Sequence, residues 1–161
     1  MPQRPQTLCF LVLVLAMALV TVVPIWAKID PASAQGYVLY AWYLQPLGPA
    51  NTSLPVVYMP FALIGILVTV SLGIAAYQTF RYDDRQLQLR LLAFNVILLL
   101  GIAGFLMYLI TMQERQILPG VPGGQQQFGF LLFVVAGICN LLAEYFIRKD
   151  EKLVSDSERM R

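Results

Sequence analysis

The chain has 161 residues, 58% of them hydrophobic and only 12% charged, with a mean hydropathy of +0.68 and a formal net charge of +2. Charged residues reach about 25% in an ordinary soluble domain, and a small domain keeps a large share of its surface in contact with solvent. The composition therefore excludes a conventional soluble fold and points to lipid as the solvent.

Four apolar blocks follow in chain order. Residues 8–26 carry no charge, nor do residues 56–80 or 91–112, and residues 128–147 carry one, Glu144. A hydrocarbon core of about 30 Å is crossed by about 20 helical residues. Backbone groups cannot stay unpaired in lipid, so such blocks must be helices, and the alternating ten-residue segments of a membrane barrel are not seen. These features predict an all-α membrane protein: a four-transmembrane-helix bundle in a single membrane domain, residues 1–161. Its helices are expected at about 8–26, 56–80, 88–112 and 128–147, with an outer loop over 27–55 and a cytoplasmic tail over 148–161.

The first block includes Pro24 near its end, where a bend is expected. A small-residue site, "ASAQ" at residues 32–35, resembles a signal-peptidase site, but the preceding run is longer than the roughly 7–15 residues of a signal core. Lys28, Asp30 and Pro31 also separate the two. An uncleaved N-terminus is expected. The outer loop contains "GYVLYAWYLQPLG", whose Tyr37, Tyr40, Trp42 and Tyr43 read as an interfacial aromatic belt, or as a short strand or helix on the membrane surface. A lid over a ligand is the sharper alternative. In the second block Gly65, Thr69 and Gly73 are spaced four apart, which gives a flat groove for close helix packing. The short connection "RYDDRQLQLR" makes the second and third helices antiparallel neighbours, whereas "QERQILPGVPGGQQQ", residues 113–127, reads as a flexible loop.

Polar groups inside the spans are few. Arg90 and Glu144 lie about one turn inside their boundaries, where Arg90 can snorkel and Glu144 can pair with Arg148 or bridge to Arg90. Asn95 and Asn140 lie deeper, at similar depth, and are candidates for an interhelical contact. There is no histidine, which removes bis-histidine haem, histidine zinc sites and imidazole catalysis. Cys9 and Cys139 stand in different spans and read as small buried hydrophobes. No catalytic, cofactor-binding or metal-binding residue is assigned.

Orientation follows from the basic residues flanking the spans. Arg4, Arg81, Arg85, Arg90, Arg148, Lys149, Lys152, Arg159 and Arg161 fall on one side, and Lys28 and Arg115 on the other. Nine against two places both termini in the cytoplasm. The tail has five basic and four acidic residues after Ile147, too balanced for strong attraction to anionic lipid. Its i,i+4 pairs allow it to extend the fourth helix for a turn or more.

Several segments, "QRPQT" at residues 3–7, "PIW" at 24–26, "RYDDRQLQLRLLAFN" at 81–95 and "IRKDEKLVSDSERMR" at 147–161, together resemble a family of small four-helix inner-membrane proteins of the Bacteroidota, catalogued as domain of unknown function 4293. Pro5 and Ser155 depart from the pattern, where a larger apolar and a basic residue are expected. The resemblance implies four spans in the inner membrane and supplies no catalytic residue. Most of the matching residues fall on the predicted cytoplasmic side: Gln3, Arg4, Gln6, Arg81, Arg85, Gln88, Arg90, Arg148, Lys149, Asp150, Glu151 and Lys152. These form a candidate cytoplasmic face. The expected function is that of a non-enzymatic structural, assembly or accessory component of the bacterial inner membrane, without cofactors. Its partners are the bilayer, and a second copy or another protein, not nucleic acid. The alternative is a small transporter or channel subunit that works as an oligomer.

Overall fold

The computed structural model describes residues 5–30, 35–48, 57, 59–80, 85–116 and 123–159, with side chains described for all of these except 5, 6, 85, 113–116, 150, 151 and 153–159. Helix α1 spans Pro5–Val20, α2 Ala62–Phe80, α3 Arg85–Gln116 and α4 Phe128–Arg159. The described chain is mostly helical, but it is not all-α. Strands β1 (Trp26–Ile29), β2 (Gly36–Leu39), β3 (Leu44–Leu47) and β4 (Gln125–Gln126) form an antiparallel sheet in the order β3-β2-β1-β4.

The first helix ends six residues before the apolar run does. Thr21, Val22 and Val23 extend a β-branched stretch begun at Val20, which lowers helix propensity. Pro24 then biases Val23 away from the helical region. The last turn is closed locally: the Thr21 hydroxyl donates to the Ala18 carbonyl at 2.6 Å, and the Val22 and Val23 amides both donate to Leu19 O at 3.0 Å. Pro24 lies outside the helix, so it bends nothing. Its carbonyl accepts from the Gly129 amide at 2.8 Å and fixes the start of α4 beside the start of β1.

The sheet has one face toward the helices. Trp26 pairs with Leu39, and Leu39 with Leu44, so these three form a row across three strands. All three are buried, as are Ala41 and, on the same face of β1, Lys28. The residues of the opposite face near the edges, Ile29, Gln45 and Leu47, are exposed. The outer edge of β3 carries Pro46, which has no N–H to offer a further strand, and Leu44 and Val57 exchange backbone hydrogen bonds of 2.8 and 3.1 Å along it. At the other edge, the segment read as a flexible loop contributes Gln125 and Gln126, opposite Ala27 and Trp26.

Helices α1 to α4 form a closed ring: α1 packs on α2, α2 on α3, α3 on α4, and α4 on α1, with the α1–α4 seam the most extensive. Each helix turns a stripe with spacing of three and four inward. On α2 the stripe is Ile64, Val68, Ser71, Ala75 and Gln78, with Phe61 just before it; on α3 it is Gln88, Leu92, Asn95, Leu99, Ile102 and Leu106; on α4 it is Phe133, Ala136, Asn140, Ala143 and Ile147. The outward faces are apolar as well: Ile97 and Leu100 are 68% exposed and Leu131 is 60% exposed. Among the described residues three helical segments, Ala62–Phe80, Gln86–Met112 and Phe128–Lys149, are long and apolar enough to cross a membrane, whereas the apolar part of α1, Thr7–Val20, is shorter. Helix α4 continues beyond its apolar part through Arg159, so the charged tail is helical for most of its length.

Candidate functional site

Among the described residues the inward stripes are apolar except at five places. Ser71, Gln78, Gln88, Asn95 and Asn140 are all buried, and Ser71, Gln78, Asn95 and Asn140 are fully so. Ser71 is the central residue of α2. Its hydroxyl donates to Asn95 Oδ1 on α3 at 2.7 Å, which fixes the level at which the two helices meet. Gln78 and Gln88 each lie seven residues, or two turns, farther toward the α2–α3 connection. There the Gln88 Nε2 donates to the Gln78 backbone carbonyl at 3.1 Å. On α4 the level follows from an apolar groove of about 210 Å³, lined by Val96 to Met107 of α3 and by Leu141 to Phe130 of α4. The two helices run antiparallel, so Val96 stands at the level of Leu141, and Asn140 shares the level of Asn95. The interior thus contains one polar layer of Ser71, Asn95 and Asn140, and a second of Gln78 and Gln88.

These amides are only partly satisfied. Among the described residues, Asn95 Nδ2, both side-chain polar atoms of Asn140 and both of Gln78 have no hydrogen-bond partner. Leaving a buried polar group unpaired costs about 1–3 kcal/mol, so the layers have a strong demand for partners. The expected contact between Asn95 and Asn140 is not made; Asn95 turns its oxygen to Ser71 instead. Interhelical hydrogen bonds between such side chains in membrane proteins average about 0.6 kcal/mol. A double-mutant cycle with Ser71→Ala and Asn95→Ala is therefore expected to give a coupling of about 0.5–1.7 kcal/mol in thermal unfolding. Strictly additive single effects would mean that the bond contributes nothing.

Of the residues proposed for a cytoplasmic face, Gln3, Arg4 and Arg81 lie outside the described residues, as do the side chains of Gln6, Arg85, Asp150 and Glu151. Gln88 is buried inside the ring. Arg90, Arg148, Lys149 and Lys152 are exposed. Glu144 pairs along its own helix, where Arg148 Nη2 and Nε donate to Glu144 Oε1 at 2.6 and 2.9 Å. Arg148 is 67% exposed, and a pair of this kind contributes at most about 1 kcal/mol.

The stripe at Gly65, Thr69 and Gly73 has a different use from helix packing. A Cβ on Gly65 would lie 2.5 Å from two carbons of the Trp42 indole, while one on Gly73 would meet nothing within 4 Å. Trp42 sits in the four-residue turn between β2 and β3, closed by the Tyr40 amide donating to Tyr43 O at 2.9 Å and by stacking of the two tyrosine rings, 5.0 Å apart. Thr69 is exposed, and its hydroxyl donates to Gly65 O at 2.8 Å. The second tryptophan is seated in the same way: a Cβ on Gly124 would overlap the Trp26 indole. Both tryptophans therefore join the sheet to the chain around it. Cys9 is buried and Cys139 half-buried, and both are free thiols.

An apolar outer surface around a partly polar interior defines a helical bundle suited to a membrane. A family model described as Domain of unknown function (DUF4293) matches residues 2–160, and the chain belongs to that family. A search of curated proteins found no match.

Proposed function

We propose that this chain is a non-enzymatic accessory or assembly component of the bacterial inner membrane. In this reading it crosses the bilayer four times, with both termini in the cytoplasm and the sheet on the outer side. The carrying observation is the inverted surface: large apolar side chains such as Ile97, Leu100 and Leu131 point away from the protein, where a soluble protein would place charge. Helix α1 reaches across with the non-helical residues that follow Val20. The count of basic residues on the two sides supports the orientation.

Partner binding falls to the cytoplasmic face formed by the α2–α3 connection, the N-terminal residues and the α4 tail. A cysteine at residue 155, introduced as Ser155→Cys with Cys9 and Cys139 replaced by alanine, is expected to react from the cytoplasm and not from the periplasm. Periplasmic labelling in intact cells would overturn the topology. For the function, the protein is purified from native membranes by a tag on the outer loop. Neutralising Arg85 or Arg148 is expected to abolish co-purification of a partner with insertion and abundance unchanged, and unchanged co-purification rejects the docking role.

The buried amides favour a second reading, a transporter or channel subunit, because a polar path needs such groups. Against it, the stripes between the polar layer and the sheet are apolar, with Val68, Leu99, Ile102, Leu106 and Phe133 buried there.

A further inference from the structure

We infer that the ring of helices encloses a water-binding site, built on Asn140, Asn95 and Gln78 and closed at the sheet end. The stripe spacing turns these three side chains, from three different helices, into one interior, and each is fully buried. Their unpartnered atoms are Gln78 Nε2, Asn95 Nδ2 and Asn140 Nδ2, which donate, and Gln78 Oε1 and Asn140 Oδ1, which accept.

That inventory selects the ligand. An anion would satisfy only the donors and a metal cation only the acceptors. Water donates and accepts at the same site, and a buried water commonly makes about three hydrogen bonds to polar groups that would otherwise be unsatisfied. In a lipid-embedded segment the amides cannot rotate outward to find bulk solvent, so the partner has to come to them. Between the layers the stripes carry two small residues, Ala75 on α2 and Ala143 on α4, and one larger apolar residue, Leu92 on α3, all fully buried. On the sheet side of the layer the stripes carry Val68, Leu99, Ile102 and Leu106, which offer water nothing. The water is therefore held at the buried amides themselves, with apolar stripe residues, Leu92 and Ile147 on one side and Val68 and Leu99 on the other, around it. The site is uncharged and lies at the middle of the helices, at the level of Ser71 on α2. This inference takes the membrane location from the proposed function and adds the occupant of the interior.

The test uses the full chain reconstituted in phosphatidylethanolamine–phosphatidylglycerol vesicles, after recovery in the alkali-washed membrane fraction has been checked. A chain released by that wash would overturn the membrane reading itself. In water-edited solid-state NMR, magnetisation is passed from water to the side-chain amides of asparagine and glutamine. The Asn140 and Gln78 amides are expected to receive it as early as the exposed Gln45 and Gln126, and well before the methyls of Ile102 and Leu106. In the Asn140→Leu variant the early transfer to Asn95 Nδ2 is expected to be lost as well, because the shared water leaves. Amides that build up only as slowly as the Ile102 methyls, in a chain retained in the membrane, overturn the hydrated site and leave the membrane reading standing.

Discussion

Gly65→Leu is expected to be among the most destabilising single substitutions in this chain. The added side chain would occupy the volume of the Trp42 indole, since even a Cβ there lies 2.5 Å from ring carbons. Trp42 is held by a four-residue turn whose two ends are paired strands, so it cannot move aside without disturbing β2 and β3. Inserting bulk into a packed site costs about 1–3 kcal/mol or more, and displacement of the indole adds the loss of its buried area, at about 25 cal/mol per Å². A loss of more than about 3 kcal/mol is expected for leucine and about 1–2 kcal/mol for alanine, read from thermal unfolding in detergent. The Trp42→Ala background separates causes: there Gly65→Leu is expected to be much better tolerated. If the penalty were the same with and without the indole, Gly65 would be serving helix α2 rather than the sheet.

Asn140→Asp tests the interior in the opposite way, by changing charge with almost no change in shape. Asn140 is fully buried on the inward stripe of α4, and among the described residues no basic side chain is buried on the helical stripes. An acidic residue at the centre of a membrane helix costs about 2.5–3.5 kcal/mol on insertion scales, and a buried ion without a partner is costly in any low-dielectric interior. The variant is expected to lose about that much stability in detergent at neutral pH, whereas Asn140→Leu, which removes the demand for partners, is expected to be neutral or stabilising. An aspartate variant as stable as the parent would mean that position 140 is in free contact with bulk water.

Much of the helical architecture was legible in the sequence, because the length of uncharged apolar blocks is a strong signal. The inward stripes at Gln88, Leu92, Asn95, Leu99 and Ile102 and at Phe133, Ala136, Asn140, Ala143 and Ile147 follow the spacing of three and four directly. The sheet was legible only in part: a short strand was one reading of residues 36–48, where β2 and β3 lie, but β1 and β4 gave no such signal, for two reasons. A strand of four residues such as "WAKI" carries too few alternations to register, and β4 has only two residues, both glutamine. Apolarity also carried the first helix too far, since hydropathy does not distinguish "TVVPIW" as helix from turn and strand. The β-branched run and Pro24 were the signals that mattered. Gln88 was grouped with its charged neighbours in "RYDDRQLQLR", although it stands four residues before Leu92 on the inward stripe. Ser71 and Gln78 escaped notice for a related reason: a lone hydroxyl or amide in an apolar helix is conspicuous only once a facing partner is known. Trp42 reads as a membrane-interface aromatic because its true partner is a glycine, and a glycine's role as a socket depends on the fold.

The pairing of Gln125 and Gln126 with β1 also sets an order of events during synthesis. Strands β1 to β3 are complete once residue 47 has left the ribosome, but their last neighbour arrives only after the whole of α3 has been made. Until then β1 has an open edge, and α1 lacks the helix against which it packs most extensively. The nascent protein must therefore keep its first helix and an unfinished sheet waiting through most of translation. That interval is where a membrane insertase or a holding factor would have the most to protect.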